Sequence, residues 1–187
     1  MASSGVPPSW AVDAHHPGVA FLPHLDDGTA RWLARFVLKQ RRPGDRIVFS
    51  LHWGANWVPV MPDRHQWFAR QLIDLADIDV VFGHSSHHPL PFEIYRDKLI
   101  LYGCGDLLND YEGIETPSPW RSDLGCLYGV KLDGDTGQLL ELDILPWLIK
   151  RFQLQQAGPT DQDWLKQQLN LERTSGGASA PPSCQWA

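Results

Sequence analysis

Cysteine is scarce in this chain. Cys104, Cys126 and Cys184 are the whole supply in 187 residues, and they form no CxxC motif. Three thiols cannot all pair, which argues against a disulfide framework and fits a reducing compartment. Long apolar runs are missing too, since no stretch reaches the roughly eighteen residues that a membrane-crossing helix needs. The amino terminus, Met1-Ala-Ser-Ser-Gly-Val-Pro-Pro8, has no basic segment leading into an apolar one. These absences predict a soluble, cytoplasmic protein with no transmembrane segment and no export signal of its own. Positive charge is thin: 16 Lys and Arg face 22 Asp and Glu, for a net charge of -6, and the densest basic cluster is Lys39-Gln-Arg41-Arg42. Phosphate backbones are held by clustered cations, so nucleic acid is not an expected partner. No internal repeat is present.

What the chain does have is enough apolar material for one packed domain, 43% hydrophobic and 11% aromatic. Residues 1–27 are rich in Pro, Gly, Ser and His and predict an irregular surface segment; Asp13-Ala-His15 has the spacing of a carboxylate–imidazole ligand pair, but no buried strand precedes it and it reads as part of that surface. Residues 28–172 form the expected domain, and 173–187, which include Thr-Ser-Gly-Gly-Ala-Ser-Ala-Pro-Pro, a flexible tail.

The most informative residues are two histidine groups. Ser50-Leu-His52-Trp53-Gly54 follows the β-branched run Ile47–Ser50, and Gly83-His84-Ser-Ser-His87-His88 follows the run Ile78–Phe82. Between them Phe68, Leu72, Leu75 and Ala76 recur at helical spacing after Pro62, so the unit reads strand, helix, strand. A right-handed crossover makes the two strands parallel and puts His52 and His84 at the same carboxyl edge of the sheet, where α/β proteins keep their ligands. Neutral imidazoles there suit zinc, manganese or iron, and a third from His87 or His88 would complete a face.

The rest of the pattern is structural. A helix is predicted from Asp27 to Gln40, capped by Asp26 or Thr29, with Trp32, Leu33, Phe36 and Val37 as its core stripe. Phe92–Tyr95 and Leu99–Tyr102 flank a tight turn, and Cys126–Leu132 with Gln138–Leu145 make a second hairpin around Asp133-Gly-Asp135. A short helix starts at Thr160 and runs to about Leu171. Cys104, among glycines in Tyr102-Gly-Cys-Gly-Asp106, reads as a packed thiol.

These words together resemble the CapA proteins, named for bacterial capsule and poly-gamma-glutamate synthesis, of the calcineurin-like metallophosphoesterase superfamily. The likeness runs from about residue 30 to 170. It is densest in Ser-Leu-His52-Trp-Gly-Ala-Asn-Trp57, Asp79-Val-Val-Phe-Gly-His84-Ser-Ser-His87-His88-Pro and Lys98-Leu-Ile-Leu-Tyr-Gly-Cys-Gly-Asp106. Many members carry Gly-Asn where this chain has Gly105-Asp106.

The resemblance implies an α/β fold, here the carboxyl-terminal half of a four-layer sandwich of two sheets flanked by helices, with divalent metal ions (Mn, Fe or Zn) at the strand ends. It implies His52, His84 and His87 as metal ligands, with His84 and His87 as the catalytic histidines. Asp106, Asn109, Asp110 and His88 are expected around them as supporting groups. In such proteins an earlier half supplies an aspartate motif, a bridging Gly-Asp and an Asn-His, and this chain is expected to begin after them. Three neutral imidazoles do not offset the charge of two divalent ions, so retention of metal by this chain alone is in question. The expected activity is hydrolysis of a phosphoester in a small-molecule or polymer substrate. Two alternatives stand beside it: a non-catalytic half-domain that binds a protein partner or itself through exposed sheet, and a mononuclear site of His52, His84 and His87.

Overall fold

Val80 and Val81 are adjacent in sequence and sit in different hydrophobic cores, because successive side chains on a strand point to opposite faces of its sheet. Both belong to β2 (Val80–His84), which lies inside a four-stranded sheet with β1 (Val48–His52) on one side and β4 (Lys98–Leu101) then β3 (Phe92–Tyr95) on the other. The structure, a computed structural model, describes residues 6–58, 61–109, 119–169 and 183–186.

β1, β2 and β4 run parallel, and β3 closes the far edge as an antiparallel hairpin with β4. The hairpin turn is Arg96-Asp97, both left-handed, which matches the twist that two-residue hairpins need. Helices α1 (Asp27–Gln40) and α2 (Asp63–Ala76) cover one face of this sheet, where Leu33, Phe68, Leu72, Val81 and Ile100 meet. The other face packs on a second sheet of β5 (Leu124–Leu132), β6 (Leu139–Lys150), β7 (Gln153–Gln156) and β8 (Ser183–Trp186). Val80, Leu99 and Leu101 there meet Leu124, Leu142 and Ile144, and Leu165 of α3 (Pro159–Gln168) joins them. The result is the expected α/β class, two sheets face to face with helices against them. Among the described residues no helix is long and apolar enough to cross a membrane.

Several elements differ from the sequence expectation, each for a local reason. Trp32 and Phe36 are 51% and 56% exposed, and the buried stripe of α1 is instead Ala30, Leu33, Ala34 and Val37. Ala30 and Ala34 are buried in the core that α1 shares with α2 and the sheet, where small side chains permit close packing that hydrophobicity alone does not register. Asp26 is the cap of α1 as expected, accepting from Thr29 N at 2.8 Å. α3 is capped by Gly158, with Pro159 in its first turn, so Thr160 lies inside the helix.

β6 runs on through Pro146 to Lys150. Ala157 N donates to Pro146 O, which places the proline's main-chain groups on the side shared by β7 and β8. Pro146 falls between the residues paired with β8 and those paired with β7, so its missing donor breaks neither ladder. β7, polar and on an edge, was not expected at all. Ser183–Trp186 is likewise no tail: it pairs parallel to β6, and Trp186 Nε1 donates to Gln162 Oε1 at 3.1 Å. Cys104 and Cys126 are free and buried, and burial pushes each thiol up to about 12.

Candidate histidine site at the strand ends

β1 and β2 end together. Their parallel register pairs Leu51 with Gly83 and His52 with His84, so both imidazoles close their strands on the same face of the sheet. The sequence had placed them just beyond the strands; the structure makes each the last residue of its ladder, which fixes its direction. The two Nδ1 atoms lie 3.2 Å apart, with the rings edge to face. Ser50, two residues before His52 and on the same face, approaches His84 Nε2 with its hydroxyl at 3.1 Å. His84 is thus engaged at both nitrogens, and burial first, then the neighbouring His52, holds its pKa below the usual histidine range.

Trp53 explains the glycine beside His84. Its indole Nε1 donates to Tyr102 O at 2.9 Å by passing directly over Gly83. A Cβ at that position would run into the indole nitrogen and the Tyr102 carbonyl. The indole also stacks on His65, with ring centres 4.7 Å apart, and burial lowers the His65 pKa.

The loops after the two strands are laced together. Ser85 Oγ donates to Gly54 O, His87 N to Asn56 O, and Val58 N to His88 Nε2. Ser85 has φ of 130°, a conformation disfavoured for a side-chain-bearing residue and one that such lacing can hold.

His87 and His88 then part company. His87 Nδ1 meets the Asp106 carboxylate at 2.9 Å, and Asn109 Nδ2 donates to the same carboxylate at 2.7 Å. His88 is 1% exposed and lies between Trp120 and Trp57, with ring centres 4.2 and 5.8 Å away. Its Nδ1 faces Pro89 O, so Nδ1 carries the proton and Nε2 accepts from Val58. That makes His88 a packing wedge between two indoles, kept neutral by burial.

The structure therefore brings His52 and His84 together, sets His87 against Asp106, whose carboxylate Asn109 also bonds, and buries His88. Asp110 lies outside the described residues. Among the described residues, no three His, Cys, Asp or Glu side chains converge as a metal-binding group. His87, the expected third imidazole, meets the Asp106 carboxylate through Nδ1. Sequence reasoning gave no role to Ser50, Trp57, His65 or Trp120; the recurrence of Trp and His just past the strand ends was the available signal.

The pair itself fits a metal in kind and spacing. Two nitrogens on one tetrahedral zinc, with bonds of about 2.0–2.1 Å, stand about 3.3 Å apart, close to the 3.2 Å between these Nδ1 atoms. In number it falls short, for two neutral imidazoles are at most half of such a shell.

Comparison with known proteins agrees with the strand-end motifs. The profile of a family described as bacterial capsule synthesis protein PGA_cap matches residues 1–111. A "Probable polyglutamine synthesis accessory protein" of Mycobacterium tuberculosis is 47% identical over 175 residues, which is 92% of this chain and 45% of that protein. The PGA biosynthesis protein CapA of Bacillus subtilis is 30% identical over 74 residues, 40% of this chain and 19% of that protein. The chain thus spans less than half the length of the M. tuberculosis relative.

Proposed function

This chain belongs to the PGA_cap family of bacterial capsule synthesis proteins, and from that membership we propose that it serves capsule or poly-gamma-glutamate synthesis as the histidine-bearing half of a metal-dependent hydrolase site of the phosphoesterase type. The observation that carries this reading is the His52–His84 pair, held by strand register at the nitrogen spacing of a shared ion. His52 and His84 are the residues that would hold a zinc, manganese or iron ion. A bound ion of this kind makes a water acidic enough to attack a phosphoester at neutral pH.

The chain's other residues prepare that rim. Ser50 orients the His84 ring through Nε2. Asp106, steadied by Asn109, fixes the proton of His87 on Nδ1, which makes Nε2 the nitrogen suited to act as a base or as a further ligand. Trp53, crossing Gly83, seals the sheet beneath the pair. The substrate class is a phosphoester on a small molecule or polymer.

A second reading, a non-catalytic partner-binding half-domain, is favoured by the incomplete donor set among the described residues. Calorimetric titration of this chain with zinc and with manganese separates the two. Binding that disappears in His52→Ala and in His84→Ala, with hydrolysis of a generic phosphodiester following the bound metal, supports the hydrolase. Metal binding that both variants leave unchanged overturns it.

A further inference from the structure

α2 carries a second stripe beside its core-facing one. Asp63, Gln66, Trp67, Arg70, Gln71 and Asp74 recur at three- and four-residue steps, and with Tyr95 of β3 they line an open groove of about 250 Å³. From Asp63 to Asp74 the stripe is about 16 Å long at the rise of an α-helix. Its amino-terminal end lies beside the histidine rim, where His65 stacks on Trp53, and its far end is at the Arg96-Asp97 hairpin turn that follows Tyr95. That shape is shallow and extended, unlike the enclosed pocket that buries a small ligand on most sides.

The two rings in the groove are held by their neighbours. Trp67 and Tyr95 are half-buried. The Arg64 guanidinium lies 5.2 Å from the centre of the Trp67 ring, and those of Arg70 and Arg96 each lie 5.6 Å from the centre of Tyr95. Arg70 Nε donates to Glu93 at 2.9 Å, and Tyr95 Oη donates to Asp74 at 3.1 Å. Asp63 and Gln71, by contrast, hydrogen-bond no other described residue through their side chains. The charges cancel, since Arg64, Arg70 and Arg96 stand against Asp63, Asp74 and Glu93.

We infer that this groove is a binding site for a neutral polysaccharide strand, laid along α2 with sugar rings on Trp67 and Tyr95. A sugar ring has apolar C–H faces that suit an aromatic surface, and a rim of hydroxyls that are each both donor and acceptor. The groove answers both needs: its carboxylates accept, its guanidinium donates, and Gln66 and Gln71 do either. A polyanion offers acceptors alone and would meet Asp63 and Asp74 on a chain of net charge -6, while a polycation would meet the arginines. A protein partner is disfavoured by the carboxylates within the groove, because the centre of such an interface is depleted of acidic residues. The inference stands independently of the hydrolase reading.

The test titrates the full chain with cellohexaose, maltohexaose and mannohexaose in a calorimeter. Saturable binding of at least one of them is expected, with an affinity that holds from about 50 to 500 mM salt because the ligand carries no charge. Trp67→Ala is expected to weaken it by about tenfold or more. Gln71→Ala removes one amide, leaves the core stripe of α2 whole and is expected to weaken binding severalfold, so it decides the matter if Trp67→Ala does not fold. Trp32→Ala, which removes an exposed indole from α1, is expected to change nothing. No binding of any of the three sugars, or binding that Trp67→Ala and Gln71→Ala both leave unchanged, would overturn the inference. So would salt-sensitive binding of poly-gamma-glutamate that Trp67→Ala abolishes, or self-association of the chain, followed by sedimentation, that the same substitution abolishes.

Discussion

Lys98 Nζ sits 2.6 Å from Asp79 Oδ1, with both residues buried, at the amino-terminal ends of the parallel strands and opposite the histidine rim. Asp79 Oδ2 accepts from Ile47 N at 2.7 Å, and Lys98 also donates to Thr136 O in the turn joining β5 to β6. Gly137, in that turn with φ of +69°, leaves the space that a Cβ would take from the Asp79 carboxylate. One ion pair thus pins the second sheet to the first and leaves the other edge for chemistry. Lys98→Met strands a buried carboxylate, and a loss of about 3–5 kcal/mol is expected from urea unfolding. The nearby Arg46 and Arg41, 3.6 and 3.8 Å from the carboxylate, favour the lower end. A loss below about 1 kcal/mol would mean that these arginines suffice without Lys98.

Stability is expected to fall as the solution is acidified below about pH 6.5, in part through His65. Burial against Trp53 lowers its folded pKa from the model-peptide value of 6.5. The unfolded chain therefore takes up the proton first, so this contribution is complete above that value and drains away as pH falls. His65→Phe keeps the stacking and removes the titration. Unfolding midpoints for the variant should depend less on pH between about 7.5 and 5.5 than those of the parent chain. An undiminished slope would assign the effect to other groups.

His88 is expected to matter for packing alone. His88→Ala opens a gap between Trp57 and Trp120 and leaves Val58 N without its acceptor, at a cost of about 2–5 kcal/mol. Tryptophan emission should shift to the red as the two indoles gain water. Metal affinity measured on the folded fraction should stay at the parent level, whereas a selective loss of metal at unchanged stability would restore His88 as a ligand or a ligand's support.

How much of this was legible in the sequence depended on whether one residue's neighbours are local. The β1, α2, β2 unit was readable because apolar periodicity and the turn residues around it agree, and its parallel sense followed from crossover handedness. The meeting of His52 with His84 came from that topology. The particular pairing of His87 did not, because Asp106, expected only as a supporting group around the histidines, arrives from beyond β4 through a loop whose path no periodicity records. His88 was misplaced for the same reason, since Trp57 and Trp120 reach it from two separate loops. β7 escaped notice because Gln153-Leu-Gln-Gln156 has no strand-like alternation of apolar residues; its place is set by the turn at Arg151-Phe152, both left-handed.

The exposed face of α1 gives the sharpest check on the packing. Trp32 and Phe36 stack on each other at 6.1 Å and look outward, while Ala30, Leu33, Ala34 and Val37 face the core at positions one, four, five and eight of the same two turns. Trp32→Gln and Phe36→Gln should each change stability by about 1 kcal/mol or less, the value of one exposed aromatic pair. Leu33→Ala should cost about 2–5 kcal/mol, because it leaves a cavity in the core between the helices and the sheet. Enlarging Ala34 to Leu should also destabilise, by about 1–3 kcal/mol, since Ala34 is buried in the core that α1 shares with α2. Were the two aromatic substitutions the costly ones and Leu33→Ala mild, α1 would have to be rotated about its axis from the orientation described, and the packing of α1 against α2 would be wrong with it.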